Sequence, residues 1–450
     1  MGIFTGIFKR IFPPAAISFL LASCMTMNDY NYARIDSGLS EGKYDEVINE
    51  LDAKKTEIYS SHDEVLVLLD AGILCHYAGE YEKSNGFLSQ AEQLIEKYRA
   101  TSITQSISGF LTNDTAKDYS GEDYEDIYSN IFMALNYIAL GEYDEAMVEV
   151  RRFDNKIRTL KADYEKIVSN SDAEKKSNNG VSIEKVNVQF ADSALARYLS
   201  LLLYRNDGDY GNASVDLKFA REDFQTQKDL YDFAFPSSVD REVSVSRNDC
   251  HLNILALYGK SPVKKEKTTR VYSAAGSVWY KLALPEMNRR KSEITGIKAQ
   301  AVCLSNGKKY ATKLDKIESV ENIAVDTFQR NYSVILAHSL MRTITRAVSN
   351  TVMHEGSRVA RKRGNDGAAL LFTLFDLAGK AYTEAVERAD VRCSRYFPAS
   401  AAVSGITVED EGEYEVTVSY MHSSSVLYQF KKNVTVKKGT LSLVESACLR

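Results

Sequence analysis

The side chains with chemistry to offer are few and scattered. Cys75, Cys250, Cys303, Cys393 and Cys448 stand far apart along the 450-residue chain, and Cys24 closes an apolar run near its start. Cys75-His76 and Cys250-His251 are neighbours, but no Cys-x-x-Cys and no spaced His/Cys set provides a metal site. His62, His76, His251, His338, His354 and His422 form no pair at helical spacing. The chain has no GxGxxG, P-loop, HExxH or GxSxG phrase. Ser40-Glu41-Gly42-Lys43 and Ser305-Asn306-Gly307-Lys308 spell Ser-x-x-Lys. Both sit at turns and neither is followed by SDN or KTG, so neither reads as an acylated serine. Glu46, Glu80, Glu82 and Glu145 lie at expected helix starts, where a carboxylate favours the positive end of the helix dipole. No catalytic residue, metal or cofactor follows from these patterns. An acidic pair without a sequence signature, as in a hydrolase of cell-wall or surface polymer, is the alternative.

Cys24 is the one residue whose surroundings specify a reaction. Lys9 and Arg10 form a basic step, and residues 11 to 23 are an apolar stretch interrupted by Pro13-Pro14. Thirteen residues at ~1.5 Å rise reach about 20 Å, short of a ~30 Å hydrocarbon core but suited to a signal peptide. Leu21-Ala22-Ser23-Cys24 resembles the bacterial lipobox, in which small side chains beside the cut fit the peptidase and the thiol takes a diacylglyceryl group. That resemblance implies an exported lipoprotein with residues 1–23 removed and Cys24 as the lipid attachment site. Met25, rather than Asp, then leans toward outer-membrane sorting, facing the periplasm.

Losing residues 1–23 removes two basic residues and no acid, which takes the formal charge from −5 to −7. A mildly acidic body does not attract phosphate backbones, so nucleic acid is a poor partner. The basic run Arg358, Arg361, Lys362, Arg363 reads as a solvated loop. Five cysteines beyond Cys24 do not make a disulfide scaffold. Export would permit a bridge, and Cys393 with Cys448 is the pair to examine; buried free thiols are the other reading.

The elements that must carry these residues are announced by a recurring phrase: Gly42-Lys43-Tyr44, Gly79-Glu80-Tyr81, Gly141-Glu142-Tyr143 and Gly208-Asp209-Tyr210. The last three follow an apolar run at helical spacing and open another, as Leu66, Leu69 and Ile73 do before Gly79 and Leu88, Ala91 and Ile95 after it. Glycine tolerates the positive φ of a helix end, and Ser84, Ala146 and Ala213, three beyond each tyrosine, let helices cross closely. This pattern is similar to the tetratricopeptide repeat (TPR), with Gly79, Tyr81, Gly141, Tyr143, Gly208 and Tyr210 at repeat positions. The resemblance implies stacked helical hairpins with a groove for partner proteins. The spacings of 37, 62 and 67 residues exceed a tandem array's ~34, so insertions at 101–122 and 170–187 are expected. An aromatic at this spacing ordinarily packs inward, and the three tyrosines are expected in the core.

Past residue 260 the pattern changes. Residues 261–267 read as a polar linker. Strands are expected at 277–283, closed by Pro285, and at 294–303, 310–314, 401–408, 414–420, 426–430 and 434–444. Helices are expected at about 317–353 and 368–389; the apolar part of the second reads as core rather than membrane contact. The phrases Ala283-Leu284-Pro285 and Ala389-Asp390-Val391-Arg392, with a helix carrying Arg342 and Arg346 between them, resemble an uncharacterised family of bacterial envelope lipoproteins. Its members join TPR-like helices to a β-containing module. The expected fold is α+β: a TPR-like α-hairpin array (24–260) followed by a β-sandwich-like module (261–450) with a helical insertion about 317–390. The expected role is a non-catalytic, lipid-anchored envelope scaffold or adaptor that binds partner proteins through its helices.

Overall fold

Each Gly-x-Tyr phrase turns one helix into the next. The computed structural model describes residues 30–104, 117–178, 183–273, 278–362 and 388–450. In it α1 (Ala33–Ser40) leads to α2 (Tyr44–Ala53) and the short α3 (Lys55–Ile58). Three longer pairs follow: α4 (Glu64–Tyr77) with α5 (Tyr81–Thr104), α6 (Asp123–Leu140) with α7 (Tyr143–Asn178), and α8 (Ala194–Asp207) with α9 (Tyr210–Thr226). The short α10 (Ser237–Glu242) ends the helical region. Gly42, Gly79, Gly141 and Gly208 take φ of +70°, +79°, +80° and +79°, a conformation open to a residue without Cβ. The bond from Glu80 N to Cys75 O, 2.9 Å, recurs as Glu142 N to Tyr137 O and Asp209 N to Tyr204 O, both 2.8 Å. This closure satisfies carbonyls that a helix end would leave orphaned.

Ser84, Ala146 and Ala213 are fully buried. Ser84 Oγ donates to Gly72 O at 2.7 Å, and a Cβ on Gly72 would lie 2.6 Å from Leu88 Cγ. A small residue is therefore required where α4 crosses α5. Tyr81, Tyr143 and Tyr210 are only half-buried, not core as expected, because a residue opening the second helix sits at the rim of its pair. The second expected insertion is also shorter, since α7 continues through Asn178.

The strand content starts earlier than expected: β1 (Cys250–Tyr258) lies within the stretch expected to be helical. Next come β2 (Val263–Ser273), β3 (Val278–Asn288), β4 (Gly296–Cys303), β5 (Lys309–Glu318), α11 (Val320–Lys362), β6 (Ser400–Val408), β7 (Gly412–His422), β8 (Ser425–Val436) and β9 (Ser442–Cys448). The expected linker at 261–267 is instead largely the start of β2, which pairs with β3 as a two-stranded ribbon. Pro285 does not end β3; it faces Glu266 in register. A ribbon leaves one edge of each strand unpaired, and a residue without an N–H is tolerated there. The expected 434–444 strand divides between the end of β8 and the start of β9. Arg358, Arg361 and Lys362 belong to α11, not to a loop. The expected helix at 368–389 lies almost wholly outside the described residues.

The other seven strands form one sheet, ordered β8-β7-β4-β5-β6-β1-β9, in which only the β1–β9 pair is parallel. Four strands separate β7 from β9 in that order, yet Tyr420 Oη on β7 and Ser446 Oγ on β9 are 2.7 Å apart. The sheet has rolled until its ends meet, as accumulated strand twist allows. In place of two facing sheets, one sheet supplies both walls. Leu252, Ile254 and Ala256 of β1 point into the roll with Val416, Val418 and Tyr420. Leu255 and Leu257 point the other way and share a core with Leu69, Phe132 and Leu199 of the helices. Helices and sheet thus close over one continuous apolar interior.

Candidate functional site

Cys24 and residues 1–23, the expected signal peptide, lie outside the described residues. Of the remaining cysteines, Cys393 and Cys448 are free, buried thiols in different surroundings. Cys393 Sγ accepts from Lys264 N at 3.4 Å, whereas Cys448 lines the roll of the sheet. Burial pushes both thiols up to about 12. The bridge considered between them is not formed. Of the Ser-x-x-Lys phrases, Lys43 pairs with Glu41 and Lys308 with Glu409, both at exposed turns. Among the described residues no group of three His, Cys, Asp or Glu is placed to hold a metal, and no helix is long and apolar enough to cross a membrane.

Polar chemistry concentrates where residues 389–397, without regular secondary structure, run buried between helices and sheet. Arg392 binds Asp390 through Nε (2.9 Å) and Nη2 (2.7 Å). Its Nη1 donates to Asp63 Oδ1 (3.0 Å), which precedes α4, and to the carbonyls of His62 and Lys117. The guanidinium lies 5.3 Å from the centre of the Tyr119 ring. Ala283 packs on Ala389 and Val391, and Ala389 N donates to Glu266 Oε2. The two sequence phrases that suggested a family resemblance therefore touch.

Two residues on, Ser394 Oγ donates to Asp70 Oδ1 (2.6 Å) and Ser394 N to Glu125 Oε1 (2.5 Å). Tyr59 Oη completes Asp70, and Tyr119 Oη with Glu122 N completes Glu125. Tyr77 Oη donates to Tyr396 O, and Phe397 meets Tyr124 and Phe132 edge-on. The chain's own residues 394–397 thus fill the inward face of α4 and α6. Further along, Glu318 accepts from Tyr128 Oη, Ser193 Oγ, Leu195 N and Tyr231 Oη. Burial pushes Asp70 up to about 8 and Glu125 and Glu318 to about 7, each against the pull of these donors. Raised carboxylates mark a site when they line a cleft. These are at most 2% exposed, and their donors come from the chain itself: Asp70 and Glu125 tie α4 and α6 to the 389–397 segment, and Glu318 of β5 ties the sheet to helices.

An open site lies elsewhere. A half-open pocket of ≈ 520 Å3 between α10, β1, β5 and β6 is lined by Ser238, Arg241, Asp249, His251, Thr312 and Thr407, among others. Behind it Glu242 pairs with Arg205 and accepts from Asn253 Nδ2 at 2.8 Å. Burial would raise Glu242, but the His251 hydrogen bond and the Arg205 charge outweigh it and hold the carboxyl below its ordinary value. His251 Nε2 is 3.4 Å from Glu242 Oε1, and Nδ1 is 2.9 Å from Thr407 Oγ1. Hydroxyl, imidazole and carboxylate in this order have the form of an activated nucleophile. His251 and Thr407 are, however, directly opposed in the β1–β6 register, and such neighbours touch in any antiparallel pair. A Cβ on Gly405 would lie 2.4 Å from Glu242 Oε1, so glycine keeps this wall open. The sequence carried no signal for this pocket beyond His251 beside Cys250.

Compared with protein-family models, curated proteins and solved structures, the chain matches none of them.

Proposed function

We propose that this protein is a non-catalytic, lipid-anchored scaffold of a bacterial cell envelope. Residues 1–23 direct export and are removed, Cys24 carries the lipid, and the body faces the periplasm from the outer membrane. TPR-like helices bind partner proteins, and the β module stiffens them. The supporting observation is where the buried polar side chains act. Arg392, Ser394, Asp70 and Glu125 join the helical region to the segment that leads into β6, and Glu318 of β5 joins helices to sheet, which suits a rigid platform. With residues 394–397 against the inward face, partners meet the outer helix surfaces. A polymer hydrolase would need a facing acidic pair open to substrate; Asp70 and Glu125 are sealed from water.

Cys24→Ala should move the protein from the membrane to soluble fractions; retention on the membrane would discard the lipid anchor. In-cell crosslinking followed by capture through a C-terminal tag should recover specific envelope proteins. Recovery of glycan fragments alone would favour the hydrolase.

A further inference from the structure

The pocket beside α10 holds charges that the fold does not use. Arg241 and Asp249 both line it, and among the described residues neither forms an ion pair with the other or with any third group. Asp249 Oδ2 accepts from Ser246 N at 2.8 Å, which fixes the carboxylate in place without neutralising it. Ser238, 6% exposed, borders the same space, and its Oγ has no hydrogen-bond partner. A buried hydroxyl left unpaired costs roughly 1–3 kcal/mol unless something binds it. Other buried side-chain atoms, Ser261 Oγ and Tyr396 Oη among them, also lack a partner; Ser238 is set apart by bordering an open pocket that holds two unpaired charges.

We infer that this pocket binds a small zwitterion of the amino-acid class. The ligand's carboxylate meets the Arg241 guanidinium, whose planar fork suits a carboxylate. Its ammonium meets Asp249. Hydroxyls of Ser238, Thr312 and Thr407 receive its polar atoms. The volume of ≈ 520 Å3 is within the ordinary range of small-ligand pockets. The Glu242–His251 contact and Gly405 form a fixed wall, because a side chain at 405 would collide with both. The inference is independent of the lipid anchor and of any protein partner.

The test uses the full mature chain and ligand-observed NMR with L-serine and L-alanyl-L-alanine as zwitterions, and propionate and ethylamine as single-charge controls. Saturable binding of a zwitterion at least about tenfold tighter than either control is expected. Arg241→Ala and Asp249→Asn should each weaken it about tenfold or more. Both side chains lie at the surface and Asn can still accept from Ser246 N, so unchanged thermal melting will show that these variants are folded. Ser238→Ala should weaken binding less and leave melting intact. No saturation by either zwitterion up to about 10 mM, equal binding of the controls, or full binding by both charge variants would overturn the assignment.

Discussion

Arg392 takes partners from three parts of the chain: Asp390 beside it, Asp63 ahead of α4, and the carbonyls of His62 and Lys117. Removing a buried partner leaves uncompensated charge, so Arg392→Ala should cost about 3–5 kcal/mol in urea unfolding. Arg392→Lys keeps the charge but loses the fork and should fall between that variant and the parent chain. A loss below about 1 kcal/mol for Arg392→Ala would mean that the cluster is a surface ion pair in effect. The sequence showed the Asp390-x-Arg392 phrase but not its role. Its outer partners are some 270 to 330 residues away, and no local pattern encodes such a meeting. The same holds for Ser394, an ordinary serine until the fold sets it between two carboxylates.

At the scale of elements, the helix pairs were legible because their grammar is local. A left-handed glycine, a tyrosine at the next helix start and a small residue one turn on all act within a few residues. The crossing at Gly72 makes this testable. Gly72→Ala would drive a methyl into Leu88 and should cost about 1–3 kcal/mol by overpacking. Leu88→Ala alone should cost about 2–5 kcal/mol through the cavity it leaves. The double variant should lose clearly less than the sum, since each change relieves the other; simple additivity would show that the crossing is not in contact there. The strands were read less well. Cys250–Tyr258 is nearly continuous in apolar residues because both of its faces are covered, so it lacks the alternation that marks a half-buried strand. Tyr414–Tyr420 does alternate and was found. That one sheet would roll, rather than two sheets face each other, depends on twist summed over seven strands.

At the scale of the whole molecule, tying helices to the 389–397 segment and to the sheet through buried carboxylates makes stability depend on pH. Asp70, Glu125 and Glu318 have folded-state values raised to about 8, 7 and 7, above the roughly 4 of an unfolded chain. Between about pH 4 and pH 8 the folded state therefore binds more protons than the unfolded state, and stability falls as pH rises. Asp154, raised to about 6, acts in the same direction. Burial would raise Asp390, but Arg392 and Lys264 outweigh it and hold it at about 2, so it acts oppositely but below this window. Melting temperature should thus be higher at pH 5 than at pH 8. Glu318→Gln, which keeps an acceptor for Tyr128 and Ser193, should flatten that slope. A melting temperature that rises over the interval would show these groups ionised in the fold.

The position of β1 has a consequence for how the chain reaches this state. Its neighbours in the sheet begin only at Ser400 and Ser442. During synthesis Cys250–Tyr258 therefore emerges with both edges bare and most of its apolar side chains uncovered. It must wait while well over a hundred further residues follow. Such a segment is a template for misassembly between nascent chains, and long-range pairing of this kind forms slowly. Until β6 and β9 arrive, this last strand but one of the finished sheet stays open to wrong partners.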